Sequence, residues 1–119
     1  MTVLTEGNHT GEFLISEANG YRSRSGPEDI QLASGNNLVA GSVVELTAGE
    51  YVPVTVGGTD PVAILYAAVD ATAADTDAVF IERDAEVAEA RLTYPAAVDD
   101  DAKQDAVNVR LLAVGIKVV

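Results

Sequence analysis

The chain has 119 residues, enough for one domain with a modest core and too few for two. Its 19 acidic and 7 basic side chains give a formal net charge of -12, which repels phosphate backbones and anionic lipid, so neither nucleic acid nor a membrane is expected as a partner. The absence of cysteine excludes a disulfide framework and thiolate metal sites, and the opening MTVLTEGNHT lacks the basic and apolar regions of a secretion signal, so folding in the cytoplasm is expected.

The first residues read as a polar, unanchored arm in which only Phe13, Leu14 and Ile15 are apolar. The stretch YRSRSGPE, with Arg22, Arg24, Gly26 and Pro27, reads as a loop that separates this arm (residues 1–28) from a body (residues 29–119), its arginines suited to an acidic neighbour. In the body, Ile30 and Leu32 share one strand face, Gly35, Asn36 and Asn37 signal a turn, and Val43, Val44 and Leu46 make a second strand. After a turn at Gly49 and Glu50 comes YVPVTV, where Pro53 lacks a ladder donor and so predicts an edge strand or a bulge.

The run PVAILYAAVDAT, from Pro61 to Thr72, is the most apolar part of the chain, yet it meets Asp70 long before the roughly 20 apolar residues that a bilayer crossing needs. It predicts a strand buried on both faces. Ala63, Ala67, Ala68 and Ala71 give it little side-chain volume, so another layer of this chain or another subunit must approach closely. A polar bend (ATAAD) and a strand around Val79, Phe80 and Ile81 follow, and RDAEVAEARLTYP suits helix and strand equally. The segment DDDAKQDAVNVRLLAVG predicts a helix, with Asp99 capping its start, Asp100 and Asp101 at the positive end of its dipole, and Gly115 stopping it. Ala102, Ala106, Val109 and Ala113 form one apolar stripe and Val107, Leu111 and Val114 lie on another side, so the helix should be covered from two directions. IKVV is a closing strand.

Chemistry-bearing patterns are scarce. His9 lies in the arm with no serine or cysteine spaced to act with it, and the match of Asn8, His9 and Thr10 to a glycosylation acceptor is read as chance. The clusters Asp99, Asp100, Asp101 and Asp75, Asp77 offer oxygen ligands but lack the glycine and distal glutamate of a calcium loop, and they read as a helix start and a solvated turn. No phosphate loop, dinucleotide fingerprint or zinc spacing occurs, so no catalytic residue, metal or cofactor is assigned. A carrier domain needs a lysine at a hairpin tip, whereas Lys103 and Lys117 fall on the helix and the last strand. A small acidic domain that binds a ligand or a metal remains the alternative to a structural role.

The segments GEFLISEANG, IQLASGNNLVAGSVVEL, AILYAAVDATAADTDAVFIERDAEV and LTYP resemble the head decoration proteins of tailed bacteriophages, the family of the phage lambda capsid-stabilising protein D. AGSVV, AILYAAVDATA and RDAEV follow one another in the family's order. The resemblance implies a β-rich, β-clip-like single domain with an extended N-terminal arm and one C-terminal helix. It also implies a structural cement protein rather than an enzyme, located on the outer surface of the virion, which binds the major capsid protein of the expanded head as a homotrimer at local three-fold positions. On this reading the arm contacts the capsid through Thr5, Glu6, His9, Glu12, Phe13, Leu14, Ile15 and Ser16, and the trimer contacts fall on Val107, Leu111 and Val114. Phe13→Asp, and removal of residues 1–16, are then expected to abolish or weaken decoration without unfolding the body.

Overall fold

A computed structural model describes residues 10–17, 23–26 and 30–119. In chain order its elements are β1 (Leu14–Glu17), β2 (Gln31–Leu32), β3 (Asn36–Leu38), β4 (Val43–Thr47), β5 (Glu50–Pro53), β6 (Val62–Leu65), β7 (Val69–Ala71), β8 (Thr76–Asp77), β9 (Phe80–Ile81), β10 (Ala85–Val87), a 3-10 turn (Glu89–Arg91), α1 (Asp101–Ala113) and β11 (Ile116–Val118). The protein is thus a β-rich single domain with one C-terminal helix. A six-stranded sheet runs β8-β2-β5-β4-β6-β9, a three-stranded sheet runs β1-β10-β11, and β3 pairs with β7 alone.

The apolar run has its explanation in β6, all four residues of which are buried. Successive side chains of a strand point to opposite faces, and here each face meets its own core. Val62 and Ile64 join Phe13, Val43, Val87, Leu111 and Ile116 on the side of the helix, while Ala63 and Leu65 join Leu32, Val44, Tyr51 and Phe80 on the other. The close approach implied by the alanines is made by layers of this same chain at Ala63 and Ala71, which are buried; Ala68 is exposed. The run also breaks at Tyr66, so its second half becomes β7 in a different sheet.

Long-range pairing overrides local signals at two places. Asn36 and Asn37, read as a turn, lie in β3 opposite Ala71 and Asp70, and the chain turns earlier, at Gly35 (φ 90°). Pro53 ends an inner strand rather than an edge strand, because β5 lies between β2 and β4; β2 reaches β5 only at Leu32–Tyr51, so on that side Pro53 has no neighbour that requires a donor. At the tip of the β4–β5 hairpin Ala48 (φ 53°) and Gly49 (φ 84°) both adopt the left-handed backbone of a two-residue turn, which alanine tolerates poorly.

The expected division at residue 28 is corrected by the structure, because the described parts of the arm belong to the body. Phe13 is fully buried in the larger core, and β1 pairs antiparallel with β10. The Gly11 N–H donates to the Tyr66 carbonyl at 2.9 Å, with Gly11 at φ 68°, and a Cβ there would stand 2.9 Å from Tyr66 Cε1. Residues 23–25 also add to the large sheet beyond β9: Arg24 bridges Ile81, and Ser25 exchanges bonds with Phe80, its N–H donating to the carbonyl and its Oγ accepting from the N–H, both at 2.9 Å. Burying one Phe side chain is worth about 1.5–3 kcal/mol. Phe13→Asp, or removal of residues 1–16, would therefore damage the body itself, contrary to the expectation drawn from the sequence.

Helix α1 starts one residue later than its expected cap. Asp100 is the N-cap, its Oδ1 accepting from the Lys103 N–H at 2.8 Å, whereas Asp99 takes the Lys103 Nζ at 2.7 Å. Gly115, at φ 86°, follows its end as expected. Val107 and Leu111 are fully buried in the larger core and Val114 packs against it, so this face is spent inside the subunit.

Candidate functional site

Two surfaces stand out from the packed interior. The first is the outer edge of β1, which among the described residues pairs only with β10 and ends its sheet. The register shifts between Leu14, opposite Val87, and Ser16, opposite Glu86, so Ile15 is the extra residue of a bulge. That bulge turns the arm's three apolar residues in different directions. Phe13 is buried, Leu14 packs partly against the core, and Ile15 is 53% exposed beside an exposed Ser16. An open strand edge with a protruding apolar side chain is a template for strand addition by a partner.

The base of this strand is pinned by charge. Arg24 Nε donates to both carboxylate oxygens of Glu17, at 3.1 and 2.9 Å, its NH2 group bonds Glu17 Oε1 as well, and the guanidinium stacks 4.2 Å above the Tyr66 ring. Glu17 raises the Arg24 pKa, with burial opposing it. The acidic neighbour expected for the loop arginines is thus Glu17 in the case of Arg24; Arg22 lies outside the described residues. Glu12 pairs with Arg91 at 2.8 Å across the neighbouring 3-10 turn. Of the expected capsid contacts, then, Glu12, Leu14, Ile15 and Ser16 gather at this edge, Phe13 is corrected to a core residue, and Thr5, Glu6 and His9 lie outside the described residues.

The second surface is the outer side of α1. The trimer contacts expected at Val107, Leu111 and Val114 are corrected: Val107 and Leu111 are fully covered by their own subunit, and Val114 is partly so. The opposite stripe of Ala102, Ala106, Val109 and Ala113, extended by Leu112, is exposed. Periodicity identified both stripes. The signal that distinguishes them is bulk, since the three branched residues fill a core better than alanines do.

Apart from these surfaces, the fold holds an ion pair, Glu45 and Arg110, that the sequence did not reveal. Arg110 NH2 donates to Glu45 Oε2 at 2.9 Å and to the Asp60 carbonyl at 2.8 Å, and NH1 donates to the Thr55 carbonyl at 2.9 Å. The Thr55 N–H and Oγ1 donate to Glu45 Oε1 at 2.9 and 2.6 Å. Burial pushes the Glu45 carboxyl up, but the Thr55 hydroxyl and the Arg110 guanidinium more than offset it and hold it below the usual range. This network clamps the segment between β5 and β6 to the helix.

Several other acids and two phenols are likewise engaged within the fold. Asp75 accepts from the Ser34 N–H at 2.8 Å and Asp77 from Gln31 Nε2 at 3.0 Å. The Tyr51 hydroxyl donates to Glu82 at 2.7 Å, and burial followed by that carboxylate pushes its pKa far up. Tyr94, bonded to Asn108 at 2.6 Å, is pushed up to about 12, first by burial and then by the Glu89 charge. Among the described residues no group of three or more metal-ligating side chains converges, and no helix is long and apolar enough to cross a membrane.

A β-rich domain with a strand edge unpaired among the described residues and an exposed apolar helix face has the features of a structural, protein-binding module. The chain matches the family model of the bacteriophage lambda head decoration protein D over residues 3–116, and it belongs to that family. The family is a structural one of the phage head, not a class of enzyme, and it implies a place on the virion capsid. No curated protein matches the chain.

Proposed function

We propose that this protein is a cement protein that binds the expanded phage head as a homotrimer at local three-fold positions and stabilises it, without enzymatic activity, after synthesis in the host cytoplasm. The observation that carries the reading is the family match over residues 3–116. The open edge of β1 supports the choice of contact: a strand of the major capsid protein adds to Leu14–Glu17, with Ile15 entering a pocket on the capsid. Thr5, Glu6 and His9 extend this contact toward the N-terminus, and Phe13 anchors it from within the body.

A single four-residue edge binds weakly. Three edges on one trimer, engaged together, gain on the order of 10²- to 10⁴-fold through effective concentration. Co-sedimentation with purified heads tests the reading: the protein should saturate expanded heads and leave unexpanded ones bare. Ile15→Asp should weaken saturation while keeping the native circular dichroism spectrum, because Ile15 is more than half exposed. Equal binding to both kinds of head, or to neither, would count against the function; full binding by Ile15→Asp would count against the edge.

A further inference from the structure

Among the described residues, the buried side-chain oxygen left without a hydrogen-bond partner is Glu50 Oε2, at the start of β5. Strand β5 pairs with β2 through Tyr51 and Leu32, and β2 pairs on its other side with β8, the edge of the six-stranded sheet, through Leu32 with Thr76 and Gln31 with Asp77. Glu50 and Asp75 directly precede Tyr51 and Thr76, so the register brings a carboxyl to β2 from each side. Successive side chains of a strand alternate between faces. Tyr51 and Leu32 enter the smaller core, which leaves Glu50 and Asp75 together on the outer face.

The neighbours of this oxygen are acids and neutral groups. On β4 the residue opposite Glu50 is Thr47, whose hydroxyl donates to Asp60 at 3.0 Å. On the β2 side the Gln31 amide donates to Asp77 at 3.0 Å and the Ser34 N–H to Asp75 Oδ1 at 2.8 Å. Among the described cations, Arg24, Arg83, Arg91, Lys103 and Arg110 pair with Glu17, Glu82, Glu12, Asp99 and Glu45, and Lys117 lies on β11 of another sheet. A carboxyl oxygen closed to solvent must accept a hydrogen bond or carry a proton and donate one, and Asp75 is the acceptor at hand. Two carboxyls at one site do not both ionise readily. Asp75 and then burial push the Glu50 pKa up, while Glu50 and then the Ser34 N–H hold that of Asp75 down, so the proton resides on Glu50.

We propose that Glu50 and Asp75 share one proton across β2, a pH-dependent fastening of the edge strand β8 to β5. Strand β8 pairs with β2 over only two residues, and the shared proton adds a tie that skips a strand. Its pH window follows from the two signs. Glu50 is held above its ordinary value, so its contribution is complete below about 4.3 and is lost as pH rises through the folded value. Asp75 is held below its ordinary value, so its contribution is complete above about 3.9 and is lost as pH falls through the folded value. The edge is therefore fastened between the two folded values. Above that window both carboxyls are ionised with no cation beside them, and the tie is released.

Glu50→Gln supplies a carboxamide N–H in place of the shared proton and does not titrate, which makes it the matched control. The full-length wild type, Glu50→Gln and Asp75→Asn are compared in EDTA from about pH 3 to about pH 8, by carboxyl-carbon NMR and by urea denaturation. In the wild type Glu50 should titrate above and Asp75 below the ordinary carboxylate range, each curve carrying the inflection of the other. In Asp75→Asn, Glu50 should fall to its ordinary value or below. From about pH 5 to about pH 8 the unfolding constant of the wild type should rise relative to that of Glu50→Gln by about two- to fivefold, the size of like-charge repulsion across a sheet; titrations common to both chains cancel in this ratio. Independent curves at ordinary values with a constant ratio overturn the shared proton. A raised Glu50 value that survives Asp75→Asn also overturns it, because burial alone then accounts for the shift.

Discussion

Arg110→Met removes the cation from the clamp between α1 and the segment preceding β6. In the native chain the Glu45 side chain is 3% exposed and Arg110 17%, so the substitution leaves a carboxylate in the interior without its counter-charge. Breaking a buried pair on one side costs about 3–5 kcal/mol. Here the Thr55 N–H and hydroxyl still bond Glu45, and water can reach the Thr55 and Asp60 carbonyls released at the surface, which places the expected cost near the low end, about 3 kcal/mol, or roughly 10 °C in Tm. Replacing both partners, as in Glu45→Gln with Arg110→Met, should recover most of the loss, because no unpaired charge remains. The pH dependence has a defined sign. The Glu45 carboxyl is held below its usual range in the folded chain, so its stabilisation is present above the ordinary carboxylate pKa and is lost as pH falls through the folded value. Urea denaturation at about pH 7 and about pH 4 should therefore show a smaller penalty for Arg110→Met in acid. A penalty below about 0.5 kcal/mol at neutral pH, within the range of ordinary surface substitutions, would refute the buried-clamp reasoning.

Phe13→Ala should cost about 3–5 kcal/mol in urea titration, because it empties a site in the larger core, whereas Ile15→Ala two residues on should leave stability within about 0.5 kcal/mol. Gly11→Ala should destabilise by more than about 1 kcal/mol, since it combines a left-handed backbone with a clash against the Tyr66 ring. Ala48→Asn should raise Tm in calorimetry, relieving up to roughly 1 kcal/mol of left-handed strain at the β4–β5 turn.

Features that depend on a few neighbouring residues were legible in the sequence. The β6 strand was visible as a short apolar run bounded by Pro61 and a polar bend, and α1 as a capped stretch with a glycine stop. Features that join distant residues were not. Glu45 occupies a strand that otherwise reads as apolar, and nothing near it indicates that Arg110, 65 positions away, neutralises it. Ser23 and Ser25 are buried although serine is usually a surface residue, because their backbones extend the sheet beyond β9. The candidate site shows the same limit. The sequence located the apolar triplet of the arm and both stripes of the helix, but which member of each faces inward depends on a bulge at Ile15 and on the packing of α1, and both are set by tertiary contacts.

The central claim is tested most directly by a reconstruction of expanded heads saturated with the protein, at a resolution that traces its chain. The account predicts knobs of three copies at the local three-fold positions, with the edge of β1 extended by a strand of the capsid protein and Ile15 against it. Density for single copies away from those positions, or for subunits whose β1 edge faces solvent, would contradict it.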